Sequence, residues 1–391
     1  MKKIVLCIRR KNMLKIFTVF GTRPEAIKMA PLIYELQSRP SIDCKVCVTA
    51  QHREMLDMVM NLFGIKPDFD LNIMTPRQTL ATITTKALTG LEEVFREEKP
   101  DMVLVHGDTT TTFAGALAAY YNQIKVGHVE AGLRTYDKYF PFPEEMNRRL
   151  TGSIADLHFA PTKNNRANLI NEGINPDNIF ITGNTVIDAF KTTIKKDFSF
   201  EGTPLEGIDM SKRIILMTAH RRENLGAPLE NICRAVQRII RDFPDVELIY
   251  PVHLNPAVRD TVFSILGNTN RVHLVDPLDV DVLHNAMSRA YIILTDSGGL
   301  QEEAPALGKP VLVLRGETER PEAAEAGTVK IAGTREDIIY SLTAQLLTDE
   351  KEYHRMSVAV NPYGDGNASR RIADAILYHF GITSCRPVEW L

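Results

Sequence analysis

Short apolar runs alternate along the chain with stretches in which apolar residues recur every three or four positions. The runs have the length of strands buried on both faces, and the recurring stretches have the period of amphipathic helices. Strands are predicted at 14–20, 45–49, 102–106, 125–130, 157–161 and 179–182. Helices are predicted from 23, over 54–63, up to 98, over 110–121 and from 144. Pro24 suits the first helical turn, where its missing N–H has no partner in any case. Residues 195–212 are rich in charge, Gly and Pro and break the period. The alternation then resumes, with strands at 214–218, 247–251, 272–274, 291–295 and 311–314 and helices at 229–242 and 369–380. Such alternation predicts parallel sheets covered by helices. The restart predicts an α/β chain of two Rossmann-like domains, 13–190 and 191–365, followed by a C-terminal helix and tail over 366–391. Ligands of such sheets lie beyond the carboxyl ends of the strands. A central cleft between two such domains is therefore the expected site.

Composition narrows the class. The 391 residues are 44% hydrophobic and 24% charged, which excludes collagen-like and wholly disordered chains. Lys plus Arg number 46 against 49 for Asp plus Glu, a net charge of -3, so no basic surplus points to nucleic acid or an anionic membrane as partner. No apolar run approaches the ~18 residues of a spanning helix. The five scattered cysteines fit a reduced, cytoplasmic protein. Cys44 and Cys47 form a lone C-x-x-C without the second pair a zinc site needs, and read as buried apolar residues. Residues 1–12 precede a second Met at 13 and read as an upstream extension; the tail 383–391 reads as peripheral.

Several chemistries lack their motifs. No G-x-G-x-x-G follows the first strand, and neither a P-loop nor H-E-x-x-H occurs. No metal and no cofactor are expected. What the strand exits carry instead is acid and base. His106 and Asp108 end one buried strand, and His128 and Glu130 end the next. Glu144 and Glu145 open a helix after Pro143. Singly, each has a structural explanation: a cap, a salt bridge such as Glu130 with Arg134, or acids at the positive end of a helix. Together, Asp108, Glu130 and Glu144 put three carboxylates at one sheet edge. Carboxylates so clustered are expected to raise one another's pKa and to supply an acid and a base near neutrality.

The second half offers cations and a glycine turn. His220, Arg221 and Arg222 follow a strand, and His253 follows another. Ser297, Gly298 and Gly299 open a helix after a strand, a place where backbone N–H groups can hold a diphosphate. Glu302 or Glu303, one turn on, could accept from ribose hydroxyls. An R-P-E-A tetrad occurs at both Arg23 and Arg320. In each, an Arg stands before a Pro able to begin a helix, and Arg23 sits at the exit of the first strand.

The segments F-G-T-R-P-E-A-I-K-M-A-P, H-G-D-T-T-T-T, G-H-V-E-A-G-L-R-T, P-E-E-M-N-R, T-A-H-R-R-E-N and D-S-G-G-L-Q-E-E-A-P occur in that order. Over about 14–380 the chain resembles the bacterial non-hydrolysing UDP-N-acetylglucosamine 2-epimerases. The resemblance implies a glycosyltransferase-B-like fold, a cytoplasmic homodimer, and interconversion of UDP-GlcNAc and UDP-ManNAc through loss and re-addition of UDP. It implies acid/base roles for Asp108, Glu130 and Glu144, and a lysine and a histidine important for activity at Lys28 and His220. Arg23, His220 and Ser297, Gly298 and Gly299 would hold the diphosphate, and Glu303 the ribose. A second, activating UDP-GlcNAc would meet Gln51, His52, Arg77, Gln78, Arg221 and His253. The alternatives are a UDP-sugar glycosyltransferase, a hydrolysing epimerase, or a sensor that binds without turnover.

Overall fold

The structure, a computed structural model, describes residues 13–390; the extension expected at 1–12 lies outside the described residues. The chain forms two compact units, one holding the residues up to Ala189 and those from Tyr363 onward, the other Phe190–Pro362. The first contains seven strands: β1 Leu14–Phe20, β2 Ile42–Val48, β3 Phe69–Asp70, β4 Met102–His106, β5 Lys125–Val129, β6 Leu157–Ala160 and β7 Ile179–Ile181. They pair in parallel in the order β3-β2-β1-β4-β5-β6-β7. The second contains β8 Arg213–Thr218, β9 Val246–Pro251, β10 Val272–Val275, β11 Ile292–Thr295, β12 Val311–Val313 and β13 Val329–Ile331. Its parallel order is β10-β9-β8-β11-β12-β13.

Both sheets follow one plan. Each builds outward from a first strand, then returns beside that strand and builds the other way. The order therefore reverses between β1 and β4 in one unit and between β8 and β11 in the other, which is where open α/β sheets leave a crevice. β3 and β13 escape the sequence pattern because edge strands of two and three residues carry too few apolar positions to register.

Burial explains the apolar runs. Every residue of β4 is buried. Phe17 on β1 meets Phe95 edge-on at 6.0 Å, and both join a core with Leu91, Val103 and Val105. Burial of each such side chain stabilises by roughly 1.5–3 kcal/mol. In the second unit, the helix Ala227–Asp242 turns Ile232, Val236 and Ile239 onto a core with Leu248 and Tyr250. Tyr250 satisfies its hydroxyl by donating to the Ala219 carbonyl at 2.6 Å. Cys44 and Cys47 on β2 are unpaired and buried, and burial pushes both thiols up to about 12. They behave as the apolar residues the sequence implied.

The tail is not peripheral. The helix Ala368–His379 packs in the first unit, where Asp374 lies 2.8 Å from Arg39. Beyond it, Trp390 N–H donates to the Ile181 carbonyl at 2.8 Å, and Arg386 donates to that of Ile179 at 2.8 Å. The Arg386 guanidinium also lies 4.2 Å from the Phe180 ring centroid, and Glu389 pairs with Arg166 at 2.9 Å. These bonds cover the edge strand β7, which would otherwise offer unpaired backbone groups. A cavity of about 1090 Å³ lies under this tail. Its cations Arg166 and Arg386 are already engaged, so it is not the candidate site.

Candidate active site

In the first unit, the chain leaves β1 through Gly21 and Thr22 and enters the helix Arg23–Ser38. Glu25, three residues past Thr22, is 2% exposed. Its Oε2 accepts from Gly21 N, Thr22 N and Thr22 Oγ1 at 3.0, 2.8 and 2.8 Å. Its Oε1 accepts from Thr109 and Thr112, at 2.7 and 3.2 Å, in the segment that leaves β4. One buried carboxylate thus fastens the β1 exit to the β4 exit at the point of reversal. Arg23 stands at the first turn of this helix, as the sequence predicts.

Lys28, one turn further along, pairs with Glu130. Glu130 directly follows β5 and has a left-handed backbone, φ 61°. For a residue with a Cβ that conformation costs about 1–2 kcal/mol, and outliers of this kind concentrate at functional sites. Its Oε2 also lies 3.1 Å from His106 Nε2 and accepts from Asn184 Nδ2 at 3.2 Å. Burial pushes this carboxyl up, but Lys28 and His106 overcome burial and hold it well below the usual carboxylate range. That reverses the expectation from clustering. Lys28 and His106 contact Glu130 directly, so the ionised form wins. Arg134 is not its partner; it forms two bonds to Glu172, at 2.9 and 2.8 Å.

Asp108 lies two residues beyond β4. Its Oδ2 accepts from Arg148 Nε and Arg148 Nη2 at 3.0 and 2.7 Å, and its carbonyl accepts from Asn147 Nδ2 at 2.9 Å. Both partners belong to the helix Glu144–Ile154. Arg148 also reaches Glu145, which is fully buried and caps the loop by accepting from Thr135 N and Tyr136 N at 3.0 and 3.1 Å. Glu144 opens that same helix, and its buried Oε2 has no hydrogen-bond partner among the described residues. β4 and β5 are neighbours, with His106 opposite Val129. Asp108, Glu130 and the start of the 144–154 helix therefore meet at one sheet edge.

His128 and His158 lie opposite each other on β5 and β6 and are 0% and 1% exposed. Burial lowers His128 to about 3 and His158 to about 4. Both are neutral in the fold, whereas unfolded imidazoles protonate near 6.5. The unfolded chain therefore binds more protons below about pH 6.5, and stability falls from there as pH drops towards 4 and then 3. A denaturant midpoint clearly lower at pH 5 than at pH 7, with a shallower fall in His158→Gln, is the expected result. Equal midpoints would contradict it.

In the second unit, the chain leaves β8 through Ala219 and His220 and leaves β11 through Asp296. Asp296 is fully buried. Its Oδ2 accepts from His220 N, Arg221 N and Asn224 Nδ2 at 2.7, 2.8 and 3.0 Å. The next residue, Ser297, stands at the N-cap position of the helix Gly298–Ala306 without a side-chain capping bond. The Arg320 guanidinium covers that helix start: a Cβ on Gly298 would stand 2.8 Å from Arg320 Nη1. Arg320 pairs with Glu302, which is 5% exposed. Of the two acids considered for ribose, Glu302 is thus committed to Arg320. Glu303 sits beside Gly299 and lies 3.5 Å from His284 Nε2. His220 stacks on His253 with ring centroids 5.2 Å apart. Arg221 lies 3.7 Å from Glu319.

The six residues of the expected activating site divide between the units. Gln51, His52, Arg77 and Gln78 are in the first. The Gln51 carbonyl accepts from Gln78 Nε2 at 3.0 Å, its side chain accepts from Thr111 at 3.1 Å, and His52 N–H donates to the Gly21 carbonyl at 3.2 Å. Arg77 is exposed and left-handed, φ 55°. Arg221 and His253 are in the second.

Sequence reasoning missed Glu25, Arg148 and Asp296 as organisers. Glu25 had a signal, a T-x-x-E capping box at a helix start. Asp296 had one too, a charge at the end of an internal strand, the same argument that singled out Glu130. Arg148 closes the P-E-E-M-N-R motif, but only the fold brings its helix to Asp108.

The family model described as UDP-N-acetylglucosamine 2-epimerase matches residues 34–377. The chain is 61% identical over 374 residues to the UDP-N-acetylglucosamine 2-epimerase of Bacillus subtilis, covering 96% of this chain and 98% of that one. A solved structure of UDP-N-acetylglucosamine 2-epimerase matches with a TM-score of 0.90 at 58% identity, over 97% of this chain and 100% of its own. That of the Neisseria meningitidis UDP-GlcNAc 2-epimerase bound to UDP-GlcNAc matches at 0.85 and 50%, over 93% and 100%. A glycosyltransferase of kitacinnamycin, with a TM-score of 0.62 at 12% identity, shares the fold alone.

Proposed function

The chain belongs to the UDP-N-acetylglucosamine 2-epimerase family, and from that premise we propose that it interconverts UDP-GlcNAc and UDP-ManNAc without hydrolysis. The observation that carries the mechanism is the pairing of Glu130 with Lys28 and His106 beside an Asp108 held by Arg148. The C2 proton of the sugar is not adjacent to a carbonyl, so removing it alone would leave a poorly stabilised carbanion. Elimination avoids this. A base takes the C2 proton, the C–H electron pair becomes the C1–C2 double bond, and the C1–O bond breaks with UDP leaving. The product is a 2-acetamidoglucal. UDP then adds back to C1 as a proton arrives on the opposite face of C2.

Two proton-handling groups are needed. An ionised Glu130 can only begin as an acceptor, and Lys28 and His106 offer it protons in exchange. Asp108 and Glu144 are the candidates for the other face. Arg23, His220, the Ser297–Gly299 turn and Glu303 are the groups proposed to hold UDP while it is detached, since backbone N–H groups at a helix start favour an anion. The reading includes a cytoplasmic homodimer and activation by a second UDP-GlcNAc at Gln51, His52, Arg77, Gln78, Arg221 and His253.

Incubation with UDP-GlcNAc in deuterium oxide, followed by proton NMR, tests this. UDP-ManNAc carrying deuterium at C2 with no accumulation of free UDP is expected. UDP-ManNAc supplied alone is expected to turn over slowly until a little UDP-GlcNAc is added. Protium retained at C2 of the product would refute proton abstraction, and equal rates without UDP-GlcNAc would remove the activation.

A further inference from the structure

The point of reversal in the second sheet is fastened by a single side chain. Asp296 leaves β11 and reaches the segment that leaves β8, where its Oδ2 receives the N–H groups of His220 and Arg221 and the amide of Asn224. Asn224 in turn donates to the Leu314 carbonyl at 3.0 Å, just past β12. Three loops are thereby registered on one carboxylate that is fully buried. The other oxygen, Oδ1, is buried and makes no hydrogen bond among the described residues, but it lies 3.4 Å from His220 Nδ1. On the ring's face, His253 stacks nearly parallel, 5° between planes, and its own Nδ1 accepts from Asn255 N at 3.1 Å. Among the described residues, the Arg221 guanidinium is the other charge acting on the ring.

We propose that Asp296 is a positioning residue for the nucleotide: it keeps the proton of a neutral His220 on Nδ1, so that Nε2 is the nitrogen turned to the diphosphate, and it fixes the 220–221 backbone beside the Ser297–Gly299 turn. This rests on the reading of His220 as a diphosphate group. An acceptor-only carboxylate facing Nδ1 selects the Nδ1–H tautomer. When the anionic diphosphate arrives, His220 takes a proton from solvent on Nε2, and Asp296 balances the resulting imidazolium. The same residue that follows β11 and precedes the helix start thus sets both halves of the anion grip.

Asp296→Asn separates this role from mere support. An amide can still accept the three N–H bonds through its oxygen, but it then turns an NH2 group towards Nδ1. The His220 tautomer should switch to Nε2–H in the nitrogen-15 histidine spectrum, and the Kd for UDP should rise by about tenfold or more, with its pH dependence altered. An unchanged tautomer together with unchanged UDP affinity would overturn the proposal. If Asp296→Asn does not fold, the spectrum of the native full chain decides, because an Nε2–H tautomer there overturns it equally. His220→Ala is the separate control. Unchanged UDP affinity in that variant would fault the reading of His220 rather than the tautomer assignment, which the native spectrum reports on its own.

Discussion

Replacing Glu130 by Gln is expected to lower kcat by about 10²–10⁴-fold, the usual contribution of a positioned proton-transfer group. UDP binding should be nearly unchanged. Gln preserves the size of the side chain and can still meet Lys28, but it cannot take a proton from C2. The half-buried Lys28 then loses the carboxylate that balances its charge, so the variant also disturbs whatever proton Lys28 returns. Asp108→Asn should fall in the same range, since it removes the charge that Arg148 grips through two bonds. Steady-state kcat alongside calorimetric titration with UDP checks both. A kcat within fivefold of the parent in both variants would mean that these acids only hold the loops, and the proton-transfer reading would fail.

The second large effect is structural. Gly132 lies two residues past Glu130 at φ +93°, and a Cβ there would stand 2.3 Å from the Asn165 carbonyl oxygen. The obstacle is backbone, so it cannot rotate away. Gly132→Ala is expected to destabilise by roughly 2–5 kcal/mol, from the forced conformation and the overlap together. That corresponds to a fall in Tm of about 5–15 °C. The Gly132 carbonyl also accepts from Asn168 Nδ2 at 3.0 Å, so the loop that positions Glu130 moves with it and kcat should drop as well. Gly173→Ala provides the comparison: its φ is +87° but nothing lies within 4 Å of the added carbon. Strain alone should there cost about 1–2 kcal/mol. Similar Tm values for the two variants would show that the contact with Asn165 yields easily.

The two units fasten their reversal points in related ways. In the first, Glu25 from the β1 side binds hydroxyls at the β4 exit. In the second, Asp296 from the β11 side binds N–H groups at the β8 exit. Either way a buried carboxylate with several donors joins two loops that the sheet merely brings near. The charge is tolerable because each oxygen pair is supplied with hydrogen-bond donors or faces a ring nitrogen.

Periodicity alone determined the α/β class, the restart of the pattern and most strands, because burial on both faces of a parallel sheet writes uninterrupted apolar runs into the chain. The ordered motifs determined the family and the residues that stand at strand exits: Arg23, Asp108, Glu130, His220 and Ser297. Those positions are local facts, a strand end followed by a polar residue. What surrounds each of them is not local. Only the fold decided that Glu130 meets Lys28 and His106 instead of Arg134, and is therefore ionised where clustering predicted a raised pKa. Only the fold tied the tail to β7 and joined the last helix to the first unit. Electrostatic and hydrogen-bond energies depend on distances of a few ångströms between residues tens to hundreds of positions apart, and a linear pattern carries no record of those distances.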